Sequence, residues 1–115
     1  MAAKVTSSKF HIADAHTLAV AKEHGAYGCL EKVFQSKPTD LISTIEASGL
    51  RGKGGGGAAT GAKWRLIPAP SQKEVYLVVN ADESEPGTFK DREILEKDPH
   101  LLIEGIIAKV APSAP

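Results

Sequence analysis

Seven of the chain's eleven glycines fall between Ser48 and Trp64, four of them consecutive from Gly54 to Gly57, with Arg51, Lys53 and Lys63 among them. Glycine enters positive φ at little cost and leaves its backbone N–H uncovered. A run of such N–H groups forms an anion-binding concavity, and the three cations add positive charge around it. The chemistry this points to is a phosphate cradle. A second polar cluster, Asn80, Asp82, Glu83, Ser84 and Glu85, supplies amide and carboxylate acceptors for the hydroxyls and N–H groups of a ligand. The spacing does not fit a P-loop, because Lys63 is neither preceded by Gly nor followed by Ser or Thr. No strand leads into the glycines, as a Rossmann turn would require. The competing reading of the stretch is a flexible linker. Helical signals on both sides and the second cluster favour the cradle.

Helices must hold both ends of that loop. After an extended lead from Met1 to Ile12, Asp14 is expected to cap a short helix that Gly25 stops after His24. Tyr27, Leu30, Val33 and Phe34 recur at helical spacing, predicting a second helix over Ala26 to Gln35. Pro38 and Thr39 open a third, with Thr39 as N-cap, Leu41, Ile42 and Ile45 on one face, and Ser48-Gly49 as its end. A fourth, from Thr60 to Leu66, would aim its N-terminus at the bound anion and is closed by Pro68 and Pro70.

Val75 to Val79 is a continuous apolar, β-branched run, the pattern of a strand buried on both faces. It delivers the chain into the Asn80–Glu85 cluster, and ligands of open α/β sheets bind outside the carboxyl ends of strands. Thr88, with Asp91 three residues on, opens a charged helix to Lys97. Asp98-Pro99 opens the last, whose apolar face is Leu102, Ile103, Ile106, Ile107 and Val110. The fold class expected is therefore α/β, mostly helical, with one clear buried strand at 75–79 and an incomplete sheet. One strand makes no sheet: further strands lie hidden in apparent loops, another chain supplies them, or the sequence is a fragment.

The 115 residues suit a single domain, and 14 basic against 14 acidic residues leave no basic footprint for nucleic acid. The lone Cys29 excludes an internal disulfide and a self-contained iron–sulfur cluster; it reads as a small buried hydrophobe. His11, His16, His24 and His100 show no metal-ligand spacing. No apolar run is long enough to span a membrane. Met1 to Phe10 lacks the apolar core of a secretory signal, and the absence of Arg there argues against an organelle-targeting segment.

Three blocks in order, Ser48–Trp64, Asn80–Glu93 and Asp98–His100 with Glu104-Gly105, resemble the flavoprotein subunit family of respiratory complex I, which also includes diaphorase subunits of NAD-reducing hydrogenases and formate dehydrogenases. The resemblance covers about Ala26 to Ala108 and implies the N-terminal part of an FMN-binding domain. It divides the chain into a lead with a short helix (1–25), the partial domain (26–110) and a Pro-rich tail (111–115). It implies that Gly52, Lys53, Gly54, Gly55, Lys63, Asn80, Asp82 and Glu83 contact FMN, and that Gly56, Gly57 and Glu85 shape the NADH pocket. No residue is implied as acid or base, because the cofactor carries hydride transfer and the protein orients it.

The family passes electrons on to a 4Fe-4S cluster, for which this chain has no ligand set. The resemblance thus implies a piece of an NADH dehydrogenase that is not active alone, with other electron-transfer subunits as partners. It implies a cytoplasmic location or one peripheral to a membrane complex, and the mitochondrial matrix in a eukaryote. The alternative is a non-catalytic nucleotide-binding or assembly module, or an inactive fragment, that keeps the fold. The family loop commonly reads Arg-Gly-Arg-Gly-Gly-Ala-Gly-Phe-Pro-Thr-Gly; here Lys53, Gly56, Ala58 and Ala59 replace the second Arg, the Ala, the Phe and the Pro. Lysine keeps the charge without the planar fork, and loss of the Phe bears on NADH more than on flavin. Trp64 reads chiefly as a packing anchor, and Asp82, Glu83 and Glu85 could instead cap a turn and a helix.

Overall fold

The structure, a computed structural model, describes residues 3–67 and 74–111. Six helices carry the regular structure of those residues: α1 Leu18–Glu23, α2 Leu30–Gln35, α3 Pro38–Ala47, α4 Thr60–Arg65, α5 Lys90–Lys97 and α6 Pro99–Val110. The chain forms two compact units, Met1–Leu30 with Val78–Ile106, and Glu31–Leu77 with Ile107–Pro115. The expected stops at Pro68 and Pro70, and the tail beyond Ala111, lie outside the described residues.

The expected strand is not formed. Val75–Val79 carries no regular structure and is exposed, from 42% at Leu77 to 86% at Val78. The α/β class is therefore not found among the described residues, whose β-pairing is one isolated antiparallel bridge between Arg51 and Ala59. The cause is non-local. A strand buried on both faces needs a partner ladder and a covering layer on each side, and neither can be supplied by five residues alone.

In the first unit, α1 begins later than expected. Asp14 has φ +56°, left-handed rather than the extended conformation of an N-cap. Its carbonyl instead accepts the Thr17 N–H at 2.9 Å and hydroxyl at 2.8 Å, and Thr17 takes the N-cap position. The end is as read. Gly25 has φ +88°, its N–H reaches the Lys22 carbonyl at 3.0 Å, and the Ala26 N–H reaches Ala21 at 2.9 Å, a Schellman ending. Ala15, Ala21 and Ala26 are the buried apolar side chains of this unit.

Its polar centre lies between Tyr27 and α6. Tyr27 has φ +65°, which halts any helix there, so α2 starts at Leu30 rather than Ala26. The Tyr27 N–H donates to Glu104 Oε1 at 2.5 Å, and Cys29, exposed rather than buried as expected, has its Sγ 3.8 Å from the same oxygen. His100 Nε2 faces the His16 carbonyl at 2.9 Å and so carries the proton, leaving Nδ1 to accept the Tyr27 hydroxyl at 2.5 Å. The two rings meet edge-on, with centroids 5.4 Å apart. Burial, then the charges of Glu104 and Asp98, push the Tyr27 phenol above its ordinary pKa. Asp98 is 1% exposed, and its Oδ1 has no hydrogen-bond partner among the described residues.

In the second unit, Pro38 sits at the first position of α3 and holds Lys37 extended as N-cap, so Thr39 lies inside the first turn rather than capping it. Gly49, at φ +70°, follows the helix end. Helices α3 and α4 pack together at Gly61. A Cβ there would stand 2.7 Å from the Glu46 nitrogen and 2.9 Å from its Cα, so the contact admits only glycine. Beside it, Arg65 grips Glu46 with two bonds, Nε to Oε1 at 2.8 Å and Nη2 to Oε2 at 2.5 Å, and reaches Ser43 Oγ at 3.0 Å. These bonds hold the Glu46 carboxyl below, and the Arg65 guanidinium above, their ordinary values.

Candidate functional site

The glycine loop is pinched at its neck. The Gly52 N–H donates to the Ala58 carbonyl at 2.8 Å, and the Thr60 N–H donates to Leu50 at 2.9 Å. Arg51 Nη1 donates to the Gly57 carbonyl at 2.9 Å, so this guanidinium braces the loop rather than standing free beside it. Gly55 at φ +108° and Gly57 at φ +60° take backbone conformations that L side chains adopt rarely. A Cβ at any of Gly54 to Gly57 would meet nothing within 4 Å among the described residues.

Against the loop lies an open cavity of about 510 Å³. Gly52, Gly54, Gly56, Gly57, Ala58 and Thr60 line it from the loop, Lys63, Trp64 and Ile67 from α4 and the turn after it, and Lys109 from the end of α6. The α3–α4 contact at Gly61 and the Arg65–Glu46 clamp set the face that α4 turns to the cavity. Lys109 Nζ stands 5.0 Å from the centroid of the Trp64 ring, a cation–π arrangement. Desolvation holds its ammonium below the ordinary lysine pKa. Helix α4 is six residues long and its Thr60 N–H is already bonded to Leu50. The expected attraction of an anion to this helix end therefore has little to act through, and the cations and loop backbone must supply it.

Of the residues expected at FMN or NADH, Gly52, Gly54, Gly56, Gly57 and Lys63 line this one cavity. Lys53 and Gly55 belong to the same loop and are exposed. Asn80, Asp82, Glu83 and Glu85 belong to the other compact unit. There Asn80 Oδ1 accepts the Asp82 N–H at 2.9 Å, folding the cluster on itself as an Asx turn. Glu83 Oε1 accepts the Asp91 N–H at 2.8 Å, and Oε2 lies 3.3 Å from the Arg92 nitrogen. Glu83 thus caps α5 from outside, in place of the expected Thr88. Lys90 pairs with Asp91 at 2.7 Å and stands 3.8 Å from Glu83. Its hydrogen bond to Asp91 raises the Lys90 pKa.

Sequence reasoning missed Lys109 at the cavity. Read locally, it is the cation usual in a helix's last turn, 46 residues on from Lys63. No spacing rule ties those two positions together.

A family model described as the Nuo51 FMN-binding domain matches residues 45–112. The chain belongs to this family. Its match takes in the glycine loop, the Asn80–Glu85 cluster and α6 up to Lys109. The chain is 50% identical over 105 residues to an NADH-quinone oxidoreductase subunit of Streptomyces coelicolor, covering 91% of this chain and 23% of that protein. Against the corresponding NADH-quinone oxidoreductase subunit of Aquifex aeolicus it is 50% identical over 93 residues, 80% of this chain and 21% of the relative. Against that of Rhizobium meliloti it is 46% identical over 96 residues, 83% and 23% respectively. The chain thus spans about a quarter of the length of the curated relatives it matches. The donor set at the cavity fits the cofactor in the family's name. Backbone N–H groups and two ammoniums suit a phosphate, an indole suits a ring, and the volume is that of an ordinary small-molecule site.

Proposed function

We propose that this chain is the FMN-binding part of an NADH-oxidising electron-transfer subunit, and that it works only with the remainder of that subunit and its partner subunits. The observation that carries the reading is the cavity against the glycine loop, lined by Lys63 and Trp64 inside the matched span. When bound, FMN supplies hydride acceptance from NADH and onward release of single electrons. The chain's residues bind and orient. Gly52, Lys53, Gly54, Gly55 and Lys63 hold the phosphate end through backbone N–H groups and ammonium charge. Asn80, Asp82 and Glu83 offer acceptors to the ribityl hydroxyls and ring N–H, while Gly56, Gly57 and Glu85 shape the space for NADH. The open face of Gly54 to Gly57 favours a ligand lying flat on the backbone.

In this reading residues 26–110 are a partial domain, and Val75–Val79 becomes a buried strand of an α/β sheet once the rest is present. That order would bring the Asn80–Glu85 cluster out at a strand's carboxyl end. Among the described residues the buried apolar side chains are few and small, Ala15, Ala21, Ala26 and Val33, while Val75 to Val79 are all exposed, which supports a chain that needs further cover. The 4Fe-4S cluster that receives the electrons would be held elsewhere. The family supports a location peripheral to a membrane complex. Ala58 at the cavity, where the family loop commonly carries Phe, favours one second reading, a nucleotide-binding module without turnover.

The test is a fluorescence titration of FMN with the purified chain, with riboflavin as the control and circular dichroism as the check of fold. The expected result is saturable quenching by FMN and weaker binding of riboflavin. A folded chain that leaves FMN fluorescence unchanged would overturn the assignment of a flavin site to this chain.

A further inference from the structure

We propose that Lys109 is a phosphate-binding residue of the glycine-loop cavity, acting with Lys63 to select phosphorylated ligands over their unphosphorylated counterparts. The inference deepens the FMN reading and rests on it for the identity of the cavity. Its own support is the distribution of charge. Among the described residues, no carboxylate lies within ion-pair distance of Lys63 or Lys109. Like several surface lysines, these two have no ion pair, but they are the cations that line the cavity, beside a loop whose backbone is uncovered.

Lys109 is the better placed of the two to discriminate. It is half-buried and partly stripped of water, which its lowered pKa reflects. What faces it is the ring of Trp64, 5.0 Å away, and a ring quadrupole compensates a cation less than a phosphate does. An anion entering the cavity therefore finds a cation already partly desolvated and already beside the loop. A phosphate fits better than a carboxylate, because its several oxygens can engage two ammoniums and the loop N–H groups at once. The phosphate monoester of FMN and the pyrophosphate of NADH share that chemistry, and experiment can separate them.

Trp64 is the chain's only tryptophan and lines the cavity, so its emission reports occupancy directly. The experiment titrates the chain, Lys109→Met and Lys109→Arg with FMN, riboflavin, ADP-ribose and inorganic pyrophosphate, reading Trp64 emission. Methionine keeps a stem on the indole and removes the charge. Lys109→Met should weaken FMN about tenfold or more, a loss on the scale of one charge-assisted hydrogen bond, while riboflavin binding stays unchanged and Lys109→Arg retains most of the affinity. A penalty confined to ADP-ribose and pyrophosphate supports the same role with the dinucleotide as source. If FMN does not bind at all, the flavin reading fails, and saturable pyrophosphate binding that Lys109→Met abolishes still supports Lys109. Equal weakening of FMN and riboflavin, or no change of any phosphorylated ligand in a folded Lys109→Met chain, overturns the proposal. So does a folded parent chain whose Trp64 emission no phosphorylated ligand changes.

Discussion

Gly61→Ala should destabilise the chain, whereas Gly105→Ala, the same chemical change in another helix, should stabilise it. At Gly61 the added Cβ would stand 2.7 Å from the Glu46 nitrogen, where ordinary contact begins near 3.4 Å, so α3 and α4 must separate by about 0.7 Å. Overpacking of this kind costs about 1–3 kcal/mol. Alanine returns up to about 1 kcal/mol in a helix interior, and less in the first turn, leaving a net loss of about 1–2 kcal/mol. At Gly105 a Cβ meets nothing within 4 Å, so only the gain of about 0.5–1 kcal/mol remains. Urea denaturation followed by circular dichroism reads both as shifts of the midpoint at constant slope. Because α4 turns Lys63 and Trp64 to the cavity, Gly61→Ala should also shift Trp64 emission and weaken FMN. A Gly61→Ala midpoint at or above that of the parent, or both variants moving the same way, would refute the close-approach argument.

Two further outcomes follow from the first compact unit. Glu83→Ala should cost about 1 kcal/mol, the usual scale of a lost helix cap, because the Asp91 and Arg92 N–H groups lose their acceptor; denaturation of the variant against Thr88→Ala, which should be near neutral, checks it. In a Tyr76→Phe background, tyrosinate absorbance should show Tyr27 titrating above the ordinary phenol pKa of 10.0 in the folded chain. The raised value means the folded state holds its proton longer than the unfolded state. This contribution to stability is fully present below the free-phenol pKa and is lost as pH rises through the folded value. A folded chain whose Tyr27 titrates at or below the free value would count against the burial of that hydroxyl beside His100.

What the sequence made legible was local. Gly25 and Gly49 end α1 and α3 because a positive φ there is a property of one residue. Pro38 and Pro99 start α3 and α6 because a missing N–H costs nothing at a helix's first position. The open backbone of the glycine loop was legible because it follows from composition alone. What failed depended on distance. Asp14 and Thr17 are both good caps in isolation, and the left-handed turn at Asp14 decided between them. Thr88 lost the α5 cap to Glu83, whose carboxylate returns to the helix start across the turn at Glu85 to Gly87. The Val75–Val79 strand is a statement about neighbours, and its apolar pattern names none of them. Lys109 reaches the cavity only because of where the end of α6 lies within its unit, a fact no window of sequence contains.

The exposed Val75–Val79 run has a consequence for how copies of the chain meet one another. It is apolar, β-prone, uncharged and free of proline, the composition that seeds cross-β stacking between molecules. Each copy that persists uncovered is a template for another, so the hazard grows with concentration as well as time. On the reading proposed above, burial of this segment would act as a kinetic checkpoint: chains that acquire their cover quickly would leave the aggregating pool, and those that do not would become substrates for chaperones and proteases.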